Sequence, residues 1–284
     1  MKVGIQLYSV RNHMAQDPIG TLKEVAKIGY RYIEVANHNA EVDNGVGFGV
    51  TPEEIRKVLE EENISIISAH IYPMDAAKIL PVLEYHKQIG TRYIVMPMDF
   101  YRDRDETLRK AEILNQVGEK CAEYQMELLY HNHFHEFQKF EGETVYDLIM
   151  NNTDPKLVKI ELDSYWTMRG QQNPLDLLNK FGSRVRLLHQ KDFTRGYENQ
   201  LDLLASVEEN HDYVDMDRFL KGLSSETFTE IGTGIMDIQS IINTANSVCR
   251  SEYIILEQDY SRHDELESIR ISMDSFRKFA GIEW

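Results

Sequence analysis

Short apolar runs alternate with longer amphipathic segments along the whole chain. Eight of the runs are rich in β-branched or aromatic residues and have the length of single strands. These runs are Val3–Tyr8, Tyr32–Val35, Ile64–His70, Tyr93–Pro97, Glu127–His131, Leu157–Asp163, Val185–His189 and Tyr253–Glu257. The pattern therefore predicts eight β-strands separated by helices.

The segments between these runs carry recognisable helix ends. Asp17-Pro18 predicts a helix start and Gly29 its end, and Thr51-Pro52-Glu53-Glu54 has the form of a capping box. A further helix is predicted from about Asp75 to Gly90. The remaining helix signals are Asn173-Pro174 and the long segment Arg104–Tyr124.

Eight strand–helix units favour a (β/α)8 TIM barrel of the α/β class, formed as one domain over residues 1–284. A doubly wound open sheet is the alternative, but it usually has a glycine-rich phosphate turn after its first strand. The sequence Tyr8-Ser-Val-Arg-Asn-His13 is not such a turn.

Strand spacing changes near the end of the chain. The seventh and eighth strand ends, His189 and Glu257, lie much farther apart than the others. We therefore expect an insertion after strand 7, at about residues 193–228. In a barrel, this loop lies over the mouth, so a lid or a subunit contact is one interpretation and an inert excursion is the other.

Composition narrows the functional classes. The formal net charge of −16 disfavours nucleic acid and anionic membranes as partners. No apolar run reaches the roughly 18 residues that a membrane span needs. No basic and apolar leader precedes Val3. Cys121 and Cys249 are interpreted as reduced apolar residues. From both observations we expect a cytoplasmic protein.

Polar residues occupy the ends of five predicted strands: His70, His131, Asp163, His189 and Glu257. In a barrel these positions converge on the carboxyl-terminal mouth. Carboxylates and imidazoles brought together in this way are ligands for one divalent metal ion. Mn²⁺ is the expected ion, with Mg²⁺, Co²⁺ and Zn²⁺ as alternatives that these residue types also suit.

The fifth strand continues into Tyr130-His-Asn-His-Phe-His-Glu136. Burying imidazole and carboxyl groups without partners would cost several kcal/mol. Metal ligation and proton transfer are the usual roles of such a cluster. We therefore expect His131, His133 and Glu136 to be functional.

These segments together resemble the xylose isomerase-like barrel superfamily, the sugar phosphate isomerase/epimerase group. The resemblance covers essentially the whole chain and rests on four segments: residues 130–136, Leu162-Asp163, His189-Gln190-Lys191-Asp192, and residues 228–234 leading to Leu256-Glu257. In that family one metal is held by Glu, Asp, His and Glu from strands 5 to 8. The resemblance implies Glu136, Asp163, His189 and Glu257 as the ligands here.

The strand-5 ligand remains open between two alternatives. Strand alternation puts His131 and His133 on one face and Glu136 on the opposite parity, so Glu136 faces inward only if the chain turns after His133. Many family members have the glutamate roughly where His131 stands. Either Glu136 binds the metal while His131 and His133 transfer protons, or a histidine replaces the glutamate. We favour the first.

Four further positions are predicted to bind substrate: His70, Trp166, Lys191 and Arg195. Arg195 matches a substrate-binding arginine in ketohexose epimerases that resemble this chain. Those enzymes have a histidine where Trp166 stands, and this departure argues against a plain ketohexose epimerase. Trp166 with its neighbour Tyr165 suggests a stacking surface for a ring.

The expected activity is that of an isomerase or epimerase of a keto sugar, working through a metal-stabilised enolate. The resemblance implies a 3-keto sugar as the substrate. His131, His133, Glu136 and Glu257 are the candidates for proton transfer. The resemblance also implies a lyase alternative. This is the large subunit of a C-glycoside deglycosidase, which eliminates an aglycone from a 3-oxo-glucoside with a small β-rich partner subunit.

Other classes receive less support. The chain could self-associate, although nothing in the sequence shows an interface. Endonuclease IV shares this barrel, but it needs three metals and a basic surface, against which the charge of −16 speaks. A non-enzymatic carbohydrate-binding barrel is disfavoured because all four ligand types are present.

Overall fold

Eight parallel strands form a closed barrel in a computed structural model that describes residues 1–205, 207 and 212–284. The strands follow one another around the barrel in chain order. They are β1 Lys2–Gln6, β2 Tyr32–Asn37, β3 Ser65–Ile71, β4 Tyr93–Met96, β5 Glu127–His131, β6 Val158–Asp163, β7 Val185–Gln190 and β8 Tyr253–Leu256. The predicted TIM barrel is confirmed, and each strand overlaps one of the predicted apolar runs.

Helices surround the barrel. Within the described residues they are α1 Arg11–Gln16, α2 Pro18–Ile28, α3 Pro52–Glu62, α4 Ile79–Ile89, α5 Arg104–Glu123, α6 Val145–Asn151, α7 Ser164–Arg169, α8 Pro174–Phe181, α9 Met216–Gly222, α10 Ile238–Val248 and α11 Glu265–Phe276. None of them is long and apolar enough to cross a bilayer.

The predicted helix ends hold in most cases. The Asp17 side chain accepts a hydrogen bond from the Gly20 N–H, and Thr51 and Glu54 form the capping box. The fourth helix begins later than predicted, at Ile79 and not near Asp75. Asp75 instead accepts from the Ala77 N–H and holds a turn that precedes the helix.

The barrel interior is layered because residues two apart on a strand face the same side. At the amino end an apolar cluster fills the lumen, with Leu129 and Leu187 among its members. Two residues further along the same strands stand His131 and His189, both buried. The apolar layer thus supports a polar layer at the carboxyl ends of the strands.

Between β7 and β8 the chain makes an excursion over the mouth. Asp192–Phe193 pairs antiparallel with Phe228–Thr229 and draws the two ends of this segment together. Helix α9 lies within the segment, and its Phe219 stacks on Phe134 at a centroid distance of 5.4 Å. This helix forms one wall of the cavity described below.

Candidate functional site

Four strand ends bring a set of potential metal ligands together. His131 ends β5, Asp163 ends β6, His189 is the penultimate residue of β7, and Glu257 follows β8. One ligand atom from each of these residues lies within 4.8 Å of all the others, and all four residues are buried. We call this set the mouth group. It contains three of the four ligands implied by the family resemblance, with His131 as the fourth.

His131 is oriented as a ligand. Its Nδ1 lies 3.0 Å from the Pro97 carbonyl oxygen, which fixes the proton on that nitrogen. Its Nε2 is buried, lies 3.5 Å from Asp163 Oδ2 and has no hydrogen-bond partner in the described part of the chain. A buried nitrogen lone pair that faces a carboxylate is expected where a cation binds.

His189 connects the mouth group to a layer beneath it. Its Nδ1 lies 3.0 Å from Glu257 Oε2, and its Nε2 lies 2.5 Å from Glu34 Oε1. A carboxylate such as Glu34, bonded to the histidine nitrogen that does not face the metal, is a common feature of metal sites because it fixes the tautomer and the ring orientation.

The layer beneath contains Glu34, His70, Glu161 and His189, which also meet within 4.8 Å. His70 Nε2 lies 2.7 Å from Glu161 Oε2 and 3.2 Å from Glu34 Oε1. Burial opposes protonation of His70, but the two carboxylates outweigh it and raise its pKa to about 9. We call this set the lower group.

Sequence reasoning missed Glu34 and Glu161, although two signals point to them. Glu34 is the sole charged residue within β2, and Glu161 precedes Asp163 by two positions on β6. By strand alternation Glu161 therefore faces the lumen together with Asp163.

Lys191 reaches into the mouth group from just beyond β7. Its Nζ lies 2.6 Å from Asp163 Oδ2 and also contacts Glu257 Oε2. Burial opposes ionisation of Glu257, but the charges of Lys191 and His189 outweigh it and hold its pKa well below the usual range. Lys191 thus provides a positive charge shared by two carboxylates of the mouth group.

Glu136 lies outside both groups, which differs from the ligand assignment favoured from the sequence. The chain turns after β5 into a 3-10 helix at His135–Phe137. There the Glu136 carboxylate accepts hydrogen bonds from the Tyr130 hydroxyl at 2.9 Å and the His133 N–H at 2.9 Å. The geometry therefore favours the second alternative, with His131 at the strand-5 position.

A cavity of about 330 Å³ opens beside the mouth group and has two kinds of wall. One wall is polar and contains His38, His70, His131, His133, Glu257 and Asp259. The other is apolar and contains Trp166, Met216, Phe219, Leu220 and Leu223. The last four residues belong to the excursion between β7 and β8, which therefore completes the cavity.

His133 and Trp166 stand where the two walls meet, at a centroid distance of 5.3 Å. Burial lowers the pKa of His133 well below its usual value, and the neighbouring His131 lowers it further. The Trp166 indole N–H is buried and has no hydrogen-bond partner among the described residues. A neutral imidazole and an indole ring therefore line the cavity side by side.

The other three predicted substrate-binding residues differ in their distance from the cavity. His70 lines the cavity. Lys191 lies behind it, on the carboxylates of the mouth group. Arg195 is exposed, is absent from the described cavity lining, and donates to the Gly234 carbonyl oxygen at 3.4 Å. The structure therefore does not bring Arg195 to the mouth.

Asp259 is a cavity residue that sequence reasoning missed. Its side chain lies 3.9 Å from Lys191 Nζ. Burial raises its pKa to about 7, although the charge of Lys191 acts in the opposite direction. The signal in the sequence was the spacing: Asp259 lies two residues beyond Glu257, and residues two apart on an extended chain face the same side.

The donor set of the mouth group suits a divalent metal. Two imidazoles and two carboxylates are the hard and borderline ligands that Mn²⁺, Zn²⁺ and Co²⁺ accept. The unpartnered Nε2 of His131 faces Asp163, and Glu34 supports His189 from behind. The mouth group borders the cavity through His131 and Glu257, whereas the lower group reaches it only through His70, so the mouth group is the better candidate for an ion that meets substrate.

Comparison with known proteins agrees with the architecture. The family described as xylose isomerase-like TIM barrel matches residues 22–279. In sequence, the chain is 23% identical over 262 residues to the inosose dehydratase of Clostridium beijerinckii, covering 84% of this chain and 80% of that enzyme. The inosose dehydratase of Lacticaseibacillus casei is 28% identical over 155 residues, covering 55% of this chain and 48% of that enzyme.

Solved structures share the whole fold. A sugar phosphate isomerase/epimerase from Parabacteroides distasonis superposes with a TM-score of 0.79 at 21% identity, covering 99% of this chain and 95% of that one. The IolI protein with a bound zinc atom gives 0.66 at 13% identity over 97% and 96% of the two chains. The 3-keto-D-glucoside 4-epimerase YcjR from E. coli gives 0.64 at 16% over 98% and 99%.

Proposed function

The chain belongs to the xylose isomerase-like TIM barrel family, and we propose that it is a divalent-metal-dependent isomerase or epimerase of a keto sugar, with a 3-keto sugar as the expected substrate. The observation that carries this proposal is the mouth group beside His133. Four buried ligands meet within 4.8 Å at the edge of a cavity that a histidine also lines.

The mouth group would hold the metal through His131, Asp163, His189 and Glu257. The expected ion is Mn²⁺, and the same donor set suits Mg²⁺, Co²⁺ or Zn²⁺. A bound divalent ion polarises a carbonyl oxygen and so lowers the barrier to removing a proton from the adjacent carbon.

His133 is the proposed base. It lines the cavity next to the mouth group, and its backbone is fixed because its N–H donates to Glu136 Oε2 at 2.9 Å. Positioned bases of this kind contribute about 10²–10⁴-fold to rate. Asp259 lines the same cavity and is proposed to return the proton or to exchange it with solvent.

Recognition of the substrate is divided between the two walls of the cavity. The polar wall offers imidazole and carboxylate groups to sugar hydroxyls, and Trp166 offers its indole ring. Stacking of a sugar face on an indole ring excludes water from the reacting carbon. These features support a carbohydrate substrate.

A lyase is the second candidate, because the sequence relatives described above are named inosose dehydratases. The first step is the same proton removal, and the outcome differs only in whether the β-substituent leaves. The apolar wall would suit an aglycone, as in a C-glycoside deglycosidase, and for that activity we also propose a small partner subunit. For either activity we propose a cytoplasmic location and self-association of the chain.

Incubation in heavy water tests the function. The metal-loaded protein would be mixed with keto sugars, keto-inositols and 3-oxo-glucosides, and deuterium uptake would be followed by NMR. Uptake beside the carbonyl without loss of a substituent supports the epimerase, whereas release of water or aglycone supports the lyase. The absence of uptake and turnover with every compound would sink both. Protein treated with a chelator is the matched control.

A further inference from the structure

A basic depression lies at the end of the barrel opposite the mouth. Five cations line it together with Pro155, Phe181 and Ser183: Lys159, Lys180, Arg184, Arg186 and Arg250. Lys159 and Arg186 are the second residues of β6 and β7, whose other ends carry Asp163 and His189. The depression holds about 400 Å³, and no acidic residue is among its described lining.

This concentration of positive charge is unexpected in a chain with a net charge of −16. In the described part of the chain only two of the five cations have carboxylate partners. Lys180 Nζ lies 2.6 Å from Asp147 Oδ1, and Arg186 Nε lies 2.8 Å from Glu127 Oε2. About three positive charges are therefore left without counter-ions.

Arg184 forms part of the floor and has only neutral partners among the described residues. Its guanidinium donates to the Val158 carbonyl at 3.0 Å, the Met150 carbonyl at 2.7 Å and the Thr153 hydroxyl at 2.6 Å. These bonds fix the plane of the guanidinium without neutralising it. A half-buried cation held in this way is preorganised for an anion.

Lys159 adds a second charge to the floor. Its ammonium donates to the Pro155 carbonyl, which is also neutral. Burial lowers the pKa of Lys159, and the neighbouring Arg186 lowers it further, while the carboxylate of Glu127 acts in the opposite direction. The repulsion between Lys159 and the adjacent arginines would be relieved by a ligand of opposite charge.

We propose that the basic depression binds a small multivalent anion of the phosphate type. The volume exceeds that of a phosphate group and leaves room for the organic part of a phosphate ester beside Phe181. Lys159, Arg184 and Arg186 are half-buried, whereas Lys180 and Arg250 are exposed. A small anion that enters the depression can contact the half-buried cations, whereas a flat acidic surface meets the exposed ones first.

The test compares two double variants that change the charge equally. Lys159→Gln with Arg250→Gln removes one half-buried and one exposed cation, and both side chains lack carboxylate partners in the described structure. Lys57→Gln with Lys78→Gln is the control, because these lysines are 77% and 73% exposed elsewhere on the surface. Arg184 is left intact, since its bonds to the backbone stabilise the fold.

Binding would be measured by equilibrium dialysis of labelled inorganic phosphate and of glycerol 3-phosphate at constant ionic strength. The native protein is expected to bind at least one of them saturably, with the dissociation constant rising about tenfold or more in the first variant. The control variant should change it less than twofold. Tighter binding of the ester would identify an organic phosphate.

Either of two results with the phosphate compounds would overturn the proposal, and so would a third with an acidic peptide. One is that neither phosphate compound binds saturably to the native protein. The other is that both double variants lose affinity equally, because the effect would then reflect net charge alone. Binding of a glutamate-rich peptide in place of both phosphates would likewise reject the small-anion assignment in favour of an acidic polypeptide. Thermal unfolding of each variant confirms that the barrel is intact.

Discussion

The His189 ring lies between two carboxylates, with Nε2 2.5 Å from Glu34 Oε1 and Nδ1 3.0 Å from Glu257 Oε2. Glu34 is itself held by the Gln6 amide, which donates to its Oε1 at 2.9 Å. A proton on Nε2 that is directed to Glu34 leaves Nδ1 free to face the mouth group. Strand β2, which supplies no proposed ligand, therefore orients one.

Replacing Glu34 with Gln should weaken metal binding without removing a ligand. The amide cannot supply the carboxylate's charge behind the imidazole, so the affinity for the divalent ion should fall about 10–100-fold. Competition with a fluorescent chelator would measure this. Glu161→Gln is the comparison in the same layer: Glu161 lies 2.7 Å from His70 but 3.3 Å from His189 Nε2, so its loss should weaken metal binding less than the loss of Glu34. Equal losses in both variants would show that Glu34 has no separate role.

A second prediction distinguishes Asp163 from Glu136 as the carboxylate that binds the metal. Asp163→Asn should reduce bound metal to background in elemental analysis, since it removes a ligand of the mouth group. Glu136→Gln should retain a full complement, because that carboxylate is bonded to Tyr130 and His133 and lies outside the group. Loss of metal in the Glu136 variant would restore the ligand assignment favoured from the sequence.

The barrel was predictable from the sequence because each strand is short, apolar and bounded by turn signals. Asp163, His189 and Glu257 were predictable as well, since parallel strands in a barrel end at one face. Their convergence needs no knowledge of side-chain packing. The start of α4 was not predictable, because the Asp75 turn competes locally with helix formation over the same residues.

The rest of the site depends on contacts that strand periodicity does not contain. Glu136 turns away from the metal candidates because the Tyr130 hydroxyl and the His133 N–H satisfy it. Arg195 is exposed because it follows the short ribbon in which residues 192–193 pair with residues 228–229. Both placements follow from loop geometry, which residue spacing alone does not determine.

His133→Asn should retain the metal but lose exchange at the carbon beside the carbonyl. We expect a decrease of about 10²–10⁴-fold in deuterium uptake, as for removal of a general base. His135→Asn is the control, because His135 is buried against the Asp99 carbonyl and is absent from the described cavity lining. Normal exchange in the His133 variant would exclude this residue as the required base.

The titration of Glu136 should lower the free energy of unfolding as the pH rises. Burial raises its pKa in the folded protein to about 7, above the ordinary value of 4.5. Between these values the unfolded chain has lost the proton while the folded protein still holds it, so the free energy of unfolding decreases by up to about 3 kcal/mol. Urea unfolding at pH 4.5 and 7.5 would measure this.

Glu136→Gln provides the comparison for that pH dependence, because the amide does not titrate. The difference in stability between the native protein and the variant should change across this window in the stated direction. Parallel pH profiles for the two proteins would contradict the raised pKa of the carboxyl.

Lys191→Met should make stability depend strongly on metal. Lys191 neutralises Asp163 and Glu257 from within the mouth group. Removing one member of such a buried set costs about 3–5 kcal/mol, because the remaining charges stay uncompensated. The metal-free variant should therefore melt at a lower temperature. A divalent ion bound by the same carboxylates replaces the missing charge, so the gain in Tm on adding metal should exceed that of the native protein.

Lys110→Met is the matched control for this experiment. Lys110 pairs with Asp99 at 2.7 Å, but both side chains are 26% exposed, so water compensates the loss and the cost should be about 1 kcal/mol or less. Its gain in Tm with metal should equal that of the native protein. If Lys191→Met showed the same gain as this control, Lys191 and the metal would not share the two carboxylates. The metal would then bind at a place other than the mouth group.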